Sequence, residues 1–319
     1  MVSGTNNAYL RADVALPLAY AKMEPNLFWL DFVTPKAEDS NAFMYMYDST
    51  GKSSDTKKKT PPPYTQGAQF PEVDKSRRLT TSALLESNGF SMRIGREVIR
   101  SNKMESELVE CYDTLGYWLA EHINTSISTA LIGGATASTA ATGDAWSATT
   151  ATPVEDLRLI KYEMRREGYP FRLTDVIVNT DNFAELEGYL TSIDVSSTKQ
   201  QQVYGVPGGT GDSIFIPIAG CTVTGVDSGI TESNFLAADK NNPAAELHYY
   251  IDTAFSQPRI TYRTNGPDGK EITKTVPNLG LHFSQYEEPD THDTIIQMWV
   301  ENKTVVTKPY GLLYGAAQI

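Results

Sequence analysis

Residues 102–132, NKMESELVECYDTLGYWLAEHINTSISTALI, decide how the rest of the chain is read. Met104, Leu108, Cys111, Leu115, Leu119, Ile123, Ile127 and Ala130 recur at steps of three and four, the spacing of one face of a helix. Asn102 with Glu105 predicts a capping box at the start, and Gly133-Gly134 a residue free to take positive φ at the end. Thirty-one residues at 1.5 Å each make a rod of about 45 Å, long enough to act as a strut. Gly116 interrupts it near the middle at a cost of about 0.5–1 kcal/mol relative to alanine. That cost calls for close packing against a facing element or for a helix that must bend.

Outward from this stretch, Phe90, Met92 and Ile94 alternate with Ser91, Arg93 and Gly95, a strand feeding the helix. Ala42 to Tyr47 and Arg77 to Leu85 read as two strands of a long loop, whose polar tip holds Lys57, Lys58, Lys59 and Pro61 to Pro63. A two-stranded ribbon is marginal alone, so it is expected to lie on its own subunit or on a neighbour. Residues 1–36 carry Pro17, Pro25 and Pro35 among short apolar groups and read as an extended arm.

Beyond the helix, 135–151 is rich in Ala, Thr, Ser and Gly, a surface connection. Thr152, Pro153 and Glu155 announce a helix with Val154, Leu157, Ile160 and Met164 inward, stopped by Gly168 and Pro170. Val176-Ile177-Val178 is a buried strand, and Thr180 is expected to cap a helix burying Phe183, Leu186 and Leu190. Six β segments follow: Ser213 to Ile216, Thr222 to Val226, Leu247 to Ile251, Ile260 to Arg263, Leu279 to Glu287 and Thr294 to Val306. The fold class is α+β.

The 319 residues carry a net charge of -12, which argues against a surface built to hold nucleic acid. Residues 1–133 hold 14 Lys+Arg and 16 Asp+Glu, leaving 13 and 23 for the remainder, so the second half carries nearly all the excess. Lys57, Lys58, Lys59, Arg77 and Arg78 therefore become candidates for docking on acidic surface of an adjacent subunit. Two cysteines, Cys111 and Cys221, exclude a disulfide framework and a four-thiol metal site. No secretory signal and no membrane span are expected.

No catalytic, cofactor-binding or metal-binding residue is assigned. His122, His248, His282 and His292 lack metal-ligand spacing. Gly205, Gly208, Gly209 and Gly211 lack the Gly-Lys-Ser/Thr of a phosphate loop, and Ser54-x-x-Lys57 lacks the companions of an acyl-enzyme motif. The sequons at Asn124 and Asn302 fall in a helix and a strand, and the acidic pair Glu287-Glu288 sits where solvent is expected.

The order of parts resembles the major capsid protein of tailed viruses of bacteria and archaea, the Hong Kong phage-type capsid fold. The resemblance rests on Val154 to Glu167, then Val176-Ile177-Val178-Asn179, then Asp181 to Leu190, followed by Gly205-Val206-Pro207 and the ending Val305-Val306-Thr307-Lys308-Pro309-Tyr310-Gly311. It implies an N-terminal arm at 1–36, an extended loop and lead-in strand at 37–96 and a peripheral domain with the spine helix at 97–151. An axial domain at 152–258 and closing peripheral strands at 259–319 complete the implied division.

The function implied is a structural protein that self-assembles, as hexamers and pentamers, into an icosahedral shell around double-stranded DNA held without sequence-specific binding. The shell would form in the host cytoplasm and end in the virion. No large scaffolding region precedes the arm, so a separate scaffolding protein and a portal are expected partners, with no cofactor and no membrane. Some relatives cross-link a loop lysine to an asparagine; no partner for Lys57 to Lys59 is identifiable here. Two alternatives remain: an encapsulin-type nanocompartment, which a helical N-terminal arm with a cargo groove would favour, and an α+β enzyme around Gly205, which lacks a chemical constellation.

Overall fold

The helix expected over 102–132 spans Met104–Gly134 in the computed structural model, which describes residues 12–48, 78–95, 97–98, 104–138, 146, 152–167, 170–192, 213–227, 229–231, 234–265 and 270–316. Leu108, Cys111, Leu115, Leu119, Ile123 and Ile127 of the expected stripe are all buried. The ending differs from expectation. Gly133 and Gly134 stay helical, and a Cβ on Gly134 would lie 2.6 Å from Val306, so that glycine answers close packing and not a left-handed cap.

Fifteen strands are described: β1 (Val33–Glu38), β2 (Ala42–Asp48), β3 (Arg78–Leu84), β4 (Glu86–Ile94), β5 (Thr136–Ala137), β6 (Asp175–Asn179), β7 (Ser213–Ile216), β8 (Cys221–Val226), β9 (Asn234–Ala238), β10 (Ala245–Tyr250), β11 (Arg259–Asn265), β12 (Glu271–Pro277), β13 (Leu281–Glu287), β14 (Thr294–Val306) and β15 (Leu312–Ala316). One sheet runs β1-β10-β14-β13, with β4 also on β14; β1 is parallel to β10 and the rest are antiparallel. The second runs β5-β15-β9-β6-β8-β7. The pairs β2-β3 and β11-β12 are separate two-stranded ribbons. The chain passes between the two large sheets repeatedly, since β10 joins the first and β15 the second.

The long helix covers one face of the first sheet. Cys111 Sγ lies 3.4 Å from Met92 Sδ, and the Tyr112 and Phe283 rings are 6.3 Å apart. Cys111 and Cys221 are both buried free thiols, and burial pushes each up to about 12, so both serve as packed groups.

The segment read as an extended arm is helical over Ala12–Met23. Pro17 removes one hydrogen bond, but Leu16, Tyr20 and Met23 are buried, and burying side chains of that size contributes about 1.5–3 kcal/mol each. Pro35 does fit its rule, for it lies in the edge strand β1. Helices Pro153–Glu167 and Thr180–Ser192 pack the predicted residues inward. The cap of the second is a correction: Asn179 Oδ1 accepts the Asp181 N–H at 2.9 Å, while the Thr180 hydroxyl donates to Asp227.

Candidate functional site

Directly opposed residues in an antiparallel pair share a face. Phe43, Tyr45 and Tyr47 therefore lie on one side of the β2-β3 ribbon, and Ala42, Met44, Met46 and Leu84 on the other. Phe43 is buried, its ring stacked on the His248 imidazole at 4.1 Å and 15°. His248 sits between two carboxylates, Nδ1 at 2.6 Å from Glu38 Oε1 and Nε2 at 3.2 Å from Glu246 Oε2. Lys36 Nζ reaches Glu246 at 2.7 Å. The His248 hydrogen bond, with Lys36 in support, holds the Glu246 carboxyl below its usual range despite burial. Further out, the Asp48 N–H donates to Thr307 O at 2.8 Å, and the Tyr310 hydroxyl donates to the Asp48 carboxylate. A cleft of about 480 Å³ remains, lined by Lys36, Glu38, Met46, Glu246 and Lys308 among others.

The base of the ribbon is thus fastened to its own subunit, one of the two expected places. Its other face stays bare, with Met44 73% and Leu84 68% exposed. Met46, on the same face, borders the cleft. Of the sequence candidates, Lys57, Lys58, Lys59 and Arg77 lie outside the described residues. Arg78 opens β3 opposite Asp48, its side chain also outside the described set.

Gly116 faces the N-terminal helix. A Cβ there would lie 2.5 Å from Ala19 O, so the two helix backbones approach as only a hydrogen permits. Asn124, noticed in the sequence only as a sequon, is buried and accepts the Trp29 N–H at 3.3 Å while donating to Asn26 O. These contacts seat the N-terminal segment along the long helix. Nothing local in the sequence announces them, because they join residues 95 and 98 positions apart.

Two buried titratable groups are held in structural contacts. His282 accepts the Asp252 N–H at 2.8 Å, its ring lies on Trp299 at 5.2 Å, and burial depresses its pKa. Asp156, raised by burial, accepts the Trp146 indole N–H at 3.1 Å. Among the described residues no group of three or more His, Cys, Asp or Glu is placed to hold a metal ion, and no helix is long and apolar enough to cross a membrane.

A model of the phage capsid protein family matches residues 78–314. The chain belongs to that family. No curated protein matches it in sequence. This capsid protein is similar in fold to the capsid of cyanophage P-SCSP1u, at 10% identity over 91% of this chain and 88% of that one, with a TM-score of 0.53. The mature capsid of bacteriophage PhiM1 gives 10%, 90%, 86% and 0.52 in the same order. The holo-SrpI encapsulin complex from Synechococcus elongatus PCC 7942 gives 11%, 92%, 88% and 0.53. At such identities these likenesses concern the fold alone, and the fold is that of tailed-phage capsids. A helical N-terminal segment, expected of an encapsulin, is present here, yet the family match is to phage capsids. The chain is a structural major capsid protein, self-associating into a shell and belonging to the virion.

Proposed function

We propose that this capsid protein forms hexamers and pentamers of a closed icosahedral shell around double-stranded DNA. The family match over residues 78–314 carries the reading. The DNA is held without sequence-specific binding, since a wall of net charge -12 does not grip phosphate and leaves the genome free to pack. A separate scaffolding protein and a portal assist, assembly takes place in the host cytoplasm, and the subunit performs no catalysis. In this reading residues 97–151, with the long helix, and 259–319 form the peripheral part and residues 152–258 the axial part. The loop lysines Lys57 to Lys59, with Arg77 and Arg78, dock on acidic surface of the next subunit, and Gly116 softens a bend of the long helix in an early form of the shell.

Electron microscopy of the purified chain tests this. Shells of a size to hold a genome are expected; small cargo-filled shells would favour an encapsulin, and small oligomers both from the chain alone and in the presence of the scaffolding protein would refute both.

A further inference from the structure

The β11-β12 ribbon has a fixed inner face and an unused outer one. Ile260 and Tyr262 are buried, the Tyr262 ring lies 5.7 Å from that of Tyr20 in the N-terminal helix, and the Tyr262 hydroxyl donates to Glu24. Lys274 Nζ sits 3.3 Å from the same carboxylate. The two-residue period then turns Arg259, Thr261 and Arg263 outward, opposite Pro277, Thr275 and Thr273, and all six are exposed. The Thr261 and Thr275 hydroxyls meet at 3.0 Å. Arg263 is 74% exposed, with only Glu271 at 3.6 Å, and Arg259 has no ion pair among the described residues. In a chain of net charge -12 this outward face presents two arginines against one carboxylate, Glu271, which lies opposite Asn265.

The long helix offers its counterpart. Glu107, Glu110, Tyr117 and Glu121 are exposed along one ridge at helical steps. Beside them Trp118 is 42% exposed and packs at 5.3 Å on Phe90, itself 39% exposed. Aromatic rings left in water between carboxylates have the composition of an interface hot spot. Arginine suits such a ridge best, because its guanidinium lies flat on aromatic faces while its fork reaches carboxylates. The spans agree as well: Arg259 to Arg263 is about 13 Å along a strand, and Glu110 to Glu121 about 16 Å along a helix. The difference is within the reach of two arginine side chains.

We propose that the outer face of the β11-β12 ribbon of one subunit docks on the Tyr117–Trp118 ridge of a second copy of this chain, with Arg259 and Arg263 against the rings between Glu110 and Glu121. Within one subunit the N-terminal helix stands between the two surfaces, touching the long helix through Ala19 and the ribbon through Tyr20. The contact joins unlike patches and so propagates from subunit to subunit around a ring. Nucleic acid is the poorer partner, because two arginines release few counterions. The inference rests on the shell reading above.

The test uses the full-length chain, assembled over a concentration series and scored by electron microscopy and light scattering, with circular dichroism and melting of unassembled subunits as the folding control. Arg259→Glu with Arg263→Glu is expected to raise the concentration needed for assembly about tenfold, as is Glu110→Arg with Glu121→Arg. Combining all four is expected to bring it back to within about threefold of wild type, which only a direct contact achieves. Should a reversal variant fail to fold, Arg259→Gln with Arg263→Gln and, separately, Trp118→Ala are expected to shift assembly in the same direction. Wild-type assembly by a folded Arg259/Arg263 variant overturns the proposal, whether or not its binding to a DNA duplex weakens. So does a folded quadruple variant no better than either pair. Wild-type subunits that make no shell refute the shell reading, and the wild-type arm alone reports that.

Discussion

Gly116→Ala tests the helix contact at the centre of the subunit. Two effects oppose each other. Alanine improves helix propensity by about 0.5–1 kcal/mol, but its methyl would lie 2.5 Å from Ala19 O, an atom of a helix backbone that cannot rotate away. Overfilling such a contact costs about 1–3 kcal/mol, so the net is a loss of about 0–2.5 kcal/mol, or up to about 4 °C in melting temperature for a chain of 319 residues. Gly188 supplies the control: it lies in the helix Thr180–Ser192 with nothing within 4 Å of its Cβ position, so Gly188→Ala is expected to stabilise by about 0.5–1 kcal/mol. Calorimetry on unassembled subunits reads both. A melting temperature that rises for Gly116→Ala as it does for Gly188→Ala would refute the close contact. The same measurement on early and mature shells addresses the proposed bending, since equal losses in both forms would remove any need for a flexible Gly116.

Other outcomes follow from the surfaces and the buried acids. Changing Lys57, Lys58 and Lys59 to Glu should weaken assembly, most at low salt where repulsion is least screened; unchanged salt tolerance in sedimentation assays would rule out loop docking. Glu246 has a depressed folded pKa, so its stabilisation is present above its ordinary value of 4.5 and is lost as pH falls through the lowered one. Melting curves of wild type and Glu246→Gln should therefore converge in acid, and a constant gap at every pH would contradict this. Asp156 has the opposite sign, its raised pKa making the folded state less stable as pH climbs through and above the ordinary value of 3.8. Asp156→Asn keeps an acceptor for Trp146 and should melt no lower than wild type at pH 7, whereas Asp156→Ala strands the indole N–H and should cost about 1–3 kcal/mol in chemical denaturation.

Periodicity made the long helix and β14 legible because both have one fully buried face and no competing local signal. The strands it missed are of another kind. In β15 a glycine stands where a Cβ would strike the Phe235 ring at 2.2 Å, so packing demanded the residue that most weakens a strand signature. Its neighbour β9, Asn-Phe-Leu-Ala-Ala, is buried from Phe235 to Ala238 and shows no alternation to read. The N-terminal helix hid behind Pro17 because tertiary burial outweighed a local penalty. Of the surfaces proposed for docking, the basic stretch Lys57 to Lys59 is visible as composition. The His248 cluster that fastens the ribbon was not, since Glu38 and His248 are 210 positions apart and neither bears a local mark of the other.

The pairing of β1 with β10 constrains when a subunit can exist at all. Val33 waits for Ala245, 212 positions later (245 − 33), and β10 in turn rests on β14. At roughly 5–20 residues per second of synthesis, the first strand stays unmatched for about ten seconds or longer. A nascent chain is therefore unable to complete the first sheet, and contacts so distant in sequence also slow its closure after release. The first sheet, and any edge it offers to a neighbour, is therefore a property of the finished chain.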